Sequence, residues 1–378
     1  MTRVNAGARR FREARRRSTL LRMERLPLKR LSPEALDAWL AERIQPAWRV
    51  RAVRQWIYAR GALDWDQMTD LPKSLRAELA AEASLCAVES VLATRSPADG
   101  SVKHLLRLAD GELVEAVAMQ GDRHPTFCIS SQVGCPLDCV FCETGRMGFR
   151  RNLTQDEIVD QVLYLQKSLP PDSVRPNLVF MGMGEPLLNF DALVGALRVL
   201  GDGDGLGYGG RRITVSTAGL PRRILDLAAA PVKVGLALSL NAADDATRRA
   251  LMPALHKHRI AALLDVCEEY AERTGRRVTL EYVLIAGVTD RDEDAANLRA
   301  LTRRRPFKLN IIPYNPGDAR IRISIKDEVG QVELRRPTPE QVERFVGRLV
   351  PAVPAVTVRW SQGVDVGGGC GQLRAQRG

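Results

Sequence analysis

The sequence contains no run of about 18 consecutive apolar residues, the length that a membrane-spanning helix needs. Its basic N-terminus also lacks the apolar segment of a secretory signal peptide. These two absences argue against a membrane partner and predict a soluble protein. The chain has 378 residues, 45% of them hydrophobic, so it can bury a large core. One catalytic domain with small appendages is the expected organisation.

The sequence also lacks the signs of a disulfide framework. The chain has seven cysteines, and an odd number without an export signal disfavours a framework of disulfides. Reduced thiols that bind metal or take part in catalysis are the favoured alternative. This usage of cysteine predicts a reducing compartment, the cytoplasm.

Acidic residues are too few to balance the basic ones. Lys and Arg total 56 against 45 Asp and Glu, which gives a formal net charge of +11. Such a surplus favours a polyanionic partner, most commonly nucleic acid, because binding releases the counterions condensed on phosphates. Charge alone does not distinguish RNA from DNA or from an acidic membrane surface.

The first part of the chain divides into an arm and a small helical unit. Residues 1–30 are rich in arginine, and we interpret them as a disordered arm, with an arm that binds RNA as the alternative. Residues 31–85 are predicted to be helical, because Ser32-Pro33 marks a helix start and apolar residues recur at helical spacing up to Tyr58. Arginines lie between those apolar positions. The unit is therefore either an ordinary amphipathic surface or an accessory domain that contacts RNA.

The remaining chain is predicted to be α/β. Residues 86–121 alternate polar and apolar side chains around an Asp-Gly turn, which predicts a β-hairpin extension. Strand-like and helix-like runs alternate over 122–350, which predicts a parallel sheet with right-handed crossovers. A partial (β/α)6 barrel fits, with its chemistry at the carboxyl ends of the strands, and a doubly wound sheet is the alternative. The C-terminal segment, 351–378, has a short strand at 356–359 and a glycine-rich run around Cys370.

The individual runs can be located. The strand-like runs are 126–129, 178–181, 213–216, 234–240, 278–285 and 309–312. The helix-like runs lie near 155–167, 190–200, 220–229, 259–273, 290–303 and 338–349.

Three cysteines follow the first strand with the spacing Cys135-x3-Cys139-x2-Cys142. Thiolates are soft ligands that suit iron–sulfur clusters or zinc. Structural zinc usually takes four protein ligands in two separated pairs, whereas three thiols in one loop can hold three irons of a cubane and leave the fourth open. Phe141, between two of the ligands, would exclude water. The motif predicts a [4Fe–4S] cluster, with a zinc site completed by a distant Cys or His as the alternative.

This cysteine spacing resembles the signature of the radical-SAM superfamily, and so does the segment 182–186 (GMGEP) after the second strand. The resemblance implies that the open iron chelates the amino and carboxylate groups of S-adenosylmethionine (SAM), whose reductive cleavage gives a 5′-deoxyadenosyl radical. Glycines let backbone groups approach a ligand closely. Gly184 and Glu185 are therefore predicted to bind SAM.

Further motifs resemble the RlmN/Cfr family of RNA adenine methyltransferases. The matching segments are 127–135, 144–145, 148–154, 180–189, 216–219, 312–316 and 370–373. The resemblance implies methylation of adenine C2 in 23S rRNA, in tRNA, or in both. Residues at or near strand ends match the family's SAM-binding positions, namely Ser216, Ser239, Asn241 and Asn315.

The resemblance also implies catalytic roles. An adenine C2 carbon is a poor nucleophile, so ordinary displacement on SAM should fail. One SAM methylates Cys370, and a second supplies the radical that takes hydrogen from this methyl group. The methylene radical adds to the base, and Cys128 helps to remove the base proton and resolves the adduct by a disulfide with Cys370. Glu115 matches a proton acceptor of the family, with a charged residue on a hairpin face as its alternative interpretation.

The implied partners are RNA and an electron donor such as flavodoxin or ferredoxin, and we expect a monomer. The chain departs from the family at Asn241, where His is usual, and at 320–335, which is predicted to form an extra hairpin. Four alternatives stay open. They are methylation of adenine C8, another RNA site in a diverged paralogue, a cluster or zinc protein that only binds RNA, and a radical-SAM enzyme that acts on a protein.

Overall fold

The computed structural model describes residues 25–121, 123–170, 172–255, 257–324, 331–350, 352–353 and 355–375. The predicted arm up to residue 24 lies outside these ranges. Over the ranges described, the α/β prediction is confirmed. None of the helices seen there has the length and apolarity needed to cross a membrane.

The N-terminal unit is mainly helical. Ser32 caps its first long helix, because the side-chain oxygen accepts a hydrogen bond from the Ala35 N–H at 3.2 Å. The next helix continues into a π-helical turn, Gln55–Ala59. The elements are β1 (Leu26–Pro27), α1 (Pro33–Arg43), α2 (Trp48–Arg54), α3 (Lys73–Glu82) and β2 (Ala83–Ser84), with β1 and β2 paired in parallel.

Ten strands form the main sheet. Its first three, β3 (Val88–Arg95), β4 (Val102–Leu108) and β5 (Leu113–Met119), are antiparallel, so the predicted hairpin extension gains a third strand. The later strands are β6 (Thr126–Cys128), the separate antiparallel pair β7 (Gln132–Gly134) and β8 (Phe149–Asn152), β9 (Asn177–Phe180), β10 (Ile213–Thr217), β11 (Gly235–Ser239), β12 (Val278–Leu284), β13 (Lys308–Pro313), the separate antiparallel pair β14 (Arg322–Ser324) and β15 (Gln331–Glu333), and β16 (Val356–Val358).

The parallel part of the sheet has the topology of a partial barrel. Strands β6, β9, β10, β11, β12, β13 and β16 neighbour one another in chain order, each parallel to the next. A doubly wound sheet would instead reverse its strand order at a switch point, so that alternative is wrong. All six predicted strands are present, and β16 adds a seventh.

The helices lie between these strands. They are α4 (Glu143–Arg146), α5 (Gln155–Gln166), α6 (Phe190–Gly201), α7 (Pro221–Ala229), α8 (Asp245–Leu251), α9 (Ile260–Thr274), α10 (Asp292–Thr302) and α11 (Pro339–Leu349). The six predicted helices are confirmed. The short helices α4 and α8 are additions, because one or two turns are too short to show a helical period in sequence.

A buried ion pair joins the N-terminal unit to the barrel. Lys29, 2% exposed, pairs with the fully buried Asp160 of α5, and Asp160 also accepts a hydrogen bond from the Ala87 N–H at 2.6 Å. Arg30 pairs with Asp156 of the same helix at 3.0 Å. These basic residues serve packing rather than an arm, so the boundary predicted at residue 30 lies nearer residue 25.

The extra hairpin predicted within 320–335 is confirmed by the pairing of β14 with β15. Residues 325–330, between them, are not among those described. Ile323 and Leu334 are buried in a small apolar cluster together with Leu137, which belongs to the cysteine segment, and Tyr314. The hairpin therefore covers the cysteine segment.

Replacing Lys29 with Met should weaken the joint between unit and barrel. The change leaves Asp160 buried without its counter-ion, so we expect the free energy of unfolding to fall by about 3 kcal/mol in urea denaturation. Arg273→Met removes an ion pair with Glu269 on the exposed face of α9 and serves as the control, with little change expected. Equal midpoints for the two variants would contradict this.

Candidate active site

The cysteine loop, residues 135–142, connects β7 to α4. The Cys142 N–H donates to the Cys139 carbonyl at 3.0 Å, which closes a tight turn. The Val140 N–H donates to the Leu251 carbonyl at 3.1 Å and so ties the loop to the end of α8. The three thiols thus lie on a short loop that backbone hydrogen bonds brace.

The loop suits an iron–sulfur cluster better than a single ion. Burial raises the pKa of all three thiols, that of Cys135 to about 12, and bound metal would favour the thiolates instead. Within the described ranges, no three Cys, His, Asp or Glu side chains converge as the ligands of one ion do. A cubane takes one thiolate on each of three irons, so its ligands need not converge. The assignment of Cys135, Cys139 and Cys142 as cluster ligands stays a prediction.

Gly184 and Glu185 form the turn after β9. Gly184 has a φ of 98°, and a Cβ added there would lie 2.5 Å from the Cβ of Gln132, so the turn requires glycine. The Glu185 carboxylate is buried and accepts hydrogen bonds from the N–H groups of Leu187 at 3.0 Å and Ala218 at 2.8 Å. Burial raises its pKa to about 7, and these hydrogen bonds oppose the rise.

A cavity of about 870 Å³, measured out to its open mouth, adjoins the cysteine loop. We call it the cluster cavity; its size suits a nucleoside cofactor. The Ser216 and Ser239 hydroxyls line it 3.4 Å apart. Asn241 lines it from a left-handed backbone with a φ of 58°. The cavity brings together the three cysteines and every predicted SAM-binding residue except Asn315.

Asn315 is buried behind the C-terminal segment rather than in the lining of the cluster cavity. Its side-chain N–H donates to the Cys370 carbonyl at 3.2 Å and to the Ser361 hydroxyl at 2.7 Å. Its side-chain oxygen accepts a hydrogen bond from Arg336 at 3.2 Å. In this state Asn315 holds the backbone of Cys370, and its SAM-binding role stays a prediction.

The C-terminal segment packs across the cysteine loop. The Glu143 N–H, directly after the third cysteine of the loop, donates to the Gly371 carbonyl at 2.8 Å. The Thr144 hydroxyl donates to the Leu373 carbonyl at 2.6 Å. These two bonds place Cys370 beside the loop, with its side chain facing the cluster cavity.

Cys370 also lines a second cavity, which we call the thiol cavity because Cys128 at the end of β6 lines it too. Burial raises the pKa of Cys128 to about 12, and Arg359 in the same lining opposes this rise. Cys370 is an exposed residue. Both thiols are free, so the implied disulfide stays a prediction. The structure does bring the predicted methyl carrier and the predicted resolving thiol to one cavity.

Glu115 lines neither cavity. It is 4% exposed, forms an ion pair with Lys103 at 3.0 Å and accepts a hydrogen bond from the Arg374 N–H at 2.8 Å. Burial raises its pKa, which Lys103 and Arg374 oppose. Its contact with Arg374 holds the segment that follows Cys370. The role of Glu115 as proton acceptor stays a prediction.

Two charged residues of the site are missed by the sequence reasoning. Glu281 is 6% exposed, lines the cluster cavity and accepts a hydrogen bond from Asn310 at 2.7 Å. Arg359 contacts the sulfurs of Met181 at 3.7 Å and Met119 at 3.9 Å. A usable signal exists for Glu281, because a carboxylate within the apolar run of β12 is unusual.

A third cavity, of about 1260 Å³, opens at the amino ends of the parallel strands. Arg211, Arg212 and Lys308 line it, so we call it the cationic cavity. Arg359 lines both this cavity and the thiol cavity, and Glu281 lines both this cavity and the cluster cavity. The three cavities therefore adjoin one another around these two charges.

The fold and the cysteine loop define a radical SAM enzyme. Residues 129–299 match the family described as Radical SAM superfamily. Residues 26–85 match the family described as Ribosomal RNA large subunit methyltransferase N-terminal domain. A solved structure titled as a radical SAM methyltransferase from Sphaerobacter thermophilus is 40% identical, with a TM-score of 0.85 over 93% of this chain and 100% of that chain.

Curated relatives show which family within the radical SAM superfamily this chain belongs to. A protein of Rhodopirellula baltica, named Probable dual-specificity RNA methyltransferase RlmN, is 40% identical over 347 residues, 92% of this chain and 90% of the relative. One of Anaeromyxobacter sp., named Dual-specificity RNA methyltransferase RlmN, is 43% identical over 360 residues, 93% of this chain and 90% of the relative. The chain belongs to the RlmN family, whose cofactors are a [4Fe–4S] cluster and SAM.

Replacing Glu185 with Gln should weaken SAM binding and flatten its pH dependence. Between about pH 8 and pH 6 the wild-type carboxylate becomes protonated, because its pKa is about 7. If Glu185 contacts the SAM amino group, the neutral carboxyl accepts that hydrogen bond less well than the carboxylate does. We expect the wild-type Kd, relative to that of the variant, to rise roughly tenfold over this range.

Anaerobic titration calorimetry of the cluster-loaded proteins measures this ratio. The titration of SAM itself is common to both proteins and cancels. A ratio that stays constant between the two pH values would show that Glu185 does not contact the amino group.

Proposed function

We propose that this chain methylates C2 of an adenine in RNA, in 23S rRNA, in tRNA or in both, with Cys370 as the carrier of the methyl group. The relatives named dual-specificity RNA methyltransferases support this. The observation that carries the proposal is that Cys370, whose sulfur would carry the methyl group, lines both the cluster cavity and the thiol cavity. A methyl group on this sulfur would face the cofactor on one side and Cys128 on the other.

The chain's own residues hold and orient the cofactors. Bound SAM supplies the methyl group and, on reduction through the cluster, the radical that activates it. The cysteine loop holds the irons, and Gly184 leaves room at the cavity wall for SAM. Glu185 accepts a hydrogen bond from the SAM amino group, and the serine hydroxyls add further polar contacts.

Cys128 releases the product in this proposal. Joining the carbon on Cys370 to adenine C2 leaves a radical, which must lose the C2 proton and one electron; the oxidised cluster, when bound, would accept that electron. The Cys128 thiolate then attacks the Cys370 sulfur. An S–S bond forms and the sulfur–carbon bond breaks. Its electron pair stays on the carbon, which takes up a proton and becomes the methyl group. Arg359 favours the required thiolate, because its charge opposes the rise that burial causes in the pKa of Cys128.

The cationic cavity supports RNA as the substrate. Trp360 lines it, 45% exposed, with the Arg336 guanidinium 5.6 Å from the ring. Arginine and lysine bind phosphates, and an exposed indole can stack on a base. An adenine extracted from its stack would expose C2. We propose that the base enters by this cavity and meets the thiols beside Arg359.

The N-terminal unit supports an accessory RNA-binding role. The exposed Trp48, at 64%, has the Arg49 guanidinium 5.4 Å from its ring. Arg60 lies 4.1 Å from the ring of Trp56 in the same way. Such pairs of cation and aromatic ring suit contact with phosphates and bases.

Three further parts complete the proposal. An electron donor of low potential, flavodoxin or ferredoxin, would reduce the cluster. The free thiols and the cluster both need reducing surroundings, which supports the cytoplasm as the location. We also propose that the protein acts as a monomer.

Replacing Cys370 with Ala should abolish methylation, because the carrier sulfur is lost. The reconstituted, reduced protein is incubated with SAM and unmodified 23S rRNA or tRNA, and the digested RNA is analysed by mass spectrometry. We expect 2-methyladenosine from the wild type and from Cys86→Ala, a matched control at a buried cysteine outside the three cavities. Formation of 8-methyladenosine instead, or an active Cys370→Ala variant, would refute the proposal.

Replacing Cys128 with Ala should stop the reaction at a covalent complex of protein and RNA, because no second thiol attacks the Cys370 sulfur. A denaturing gel should show a slowly migrating band for this variant and none for the double variant with Cys370→Ala. If Cys128→Ala turns over like the wild type, Cys128 has no part in product release.

A further inference from the structure

Arg248 is a buried cation that neither the sequence reasoning nor the proposed reaction uses. It lies on α8 and is 2% exposed. Its guanidinium donates to the carbonyl of Leu240 at 3.2 Å and to that of Ala218. These carbonyls follow directly on β11 and β10, at the carboxyl edge of the sheet.

The acidic residues nearest in sequence form their ion pairs elsewhere, although Asp245 still favours the charged form of Arg248, less than Cys139 does. Asp244 lies 3.6 Å from Arg291, and Asp245 lies 3.3 Å from Arg259. Across the described ranges, no Asp or Glu is within ion-pairing distance of Arg248. A guanidinium buried without a counter-ion is costly, so its presence here calls for a negative partner.

The cysteine loop lies against the end of the helix that carries this cation. The Val140 N–H donates to the carbonyl of Leu251, three residues after Arg248 on α8, so the helix and the loop are fixed together. Burial, the two other cysteines of the loop and Glu185 raise the pKa of Cys139, and Arg248 opposes them. Arg248 is thus a positive charge that offsets the negative charges of the three thiolates and Glu185.

We propose that Arg248 is the counter-charge of the iron–sulfur cluster and raises its reduction potential. This rests on the assignment of Cys135, Cys139 and Cys142 as the cluster ligands. Three thiolates make the loaded site net negative, and reduction adds one more negative charge. A fixed cation therefore stabilises the reduced cluster more than the oxidised one. Arg248 would act through the cluster and lines none of the three cavities named above, so it is a positioning residue.

The test compares Arg248→Gln, Arg248→Lys and Arg249→Gln. Gln keeps a donor for one carbonyl but loses the charge, whereas Lys keeps the charge. Arg249, the exposed neighbour on the same helix, is the matched control. The full-length proteins are reconstituted anaerobically, and the electron paramagnetic resonance signal of the reduced cluster is followed in a redox titration without SAM.

For Arg248→Gln we expect the ratio of reduced to oxidised cluster at a fixed potential to fall about tenfold, which for one electron is about 59 mV. Arg248→Lys and Arg249→Gln should titrate like the wild type. If the reduction potential of the cluster is unchanged in Arg248→Gln, even in a less stable variant, Arg248 has only a structural role.

Arg248→Lys keeps the inference testable if the Gln variant does not assemble a cluster. A fall in its potential, with the charge retained, would overturn the proposal. Failure of the proposed function looks different, because the wild type itself would then assemble no cluster of this type or leave SAM intact when reduced.

Discussion

The site depends on the attachment of the C-terminal segment to the backbone just beyond the cysteine loop. The donors are the Glu143 N–H and the Thr144 hydroxyl, both on α4. Because they follow the last cysteine directly, the loop and Cys370 are placed relative to each other with few intervening bonds. Each such hydrogen bond contributes only about 1 kcal/mol. The segment is therefore positioned closely, by bonds that are individually weak.

Charge within the barrel is the second constraint. Among the described residues, the Glu281 carboxylate accepts one side-chain hydrogen bond, from Asn310, and the Arg359 side chain hydrogen-bonds only the weakly accepting sulfurs of two methionines. Arg359 and Lys308 act on Glu281 only as nearby charges. Such groups lower stability unless a ligand completes them. Both residues lie where the three cavities adjoin. The stability is therefore lost at the point where cofactor, carrier sulfur and base would meet. Strain of this kind is expected at a functional site.

Local patterns made much of the molecule predictable. The alternation of strands and helices, the extra hairpin and the cysteine loop are all features of contiguous sequence. The residues that were missed or placed differently depend on contacts between distant segments. The sequence places Lys29 in a basic arm, whereas the structure pairs it with Asp160, which is distant in sequence. The sequence predicts Asn315 to be a SAM-binding residue at a strand end, whereas the structure shows its side chain hydrogen-bonded to the Cys370 carbonyl. Motifs identify these positions, but only the tertiary contacts show what each side chain touches.

Asn241 shows how a departure from the family can be read from geometry. Its backbone has a φ of 58°, a conformation that asparagine tolerates better than most residues. Its side-chain oxygen accepts a hydrogen bond from the Val283 N–H at 3.3 Å, and its N–H group faces the sulfur of Met252 at 3.6 Å. A histidine at this position could also form a hydrogen bond, but its imidazole would place a titratable group at the cavity wall. Because Asn241 lines the cluster cavity and not the cationic one, its consequence falls on the cofactor side. The departure at Asn241 therefore does not bear on the cavity by which the base is proposed to enter.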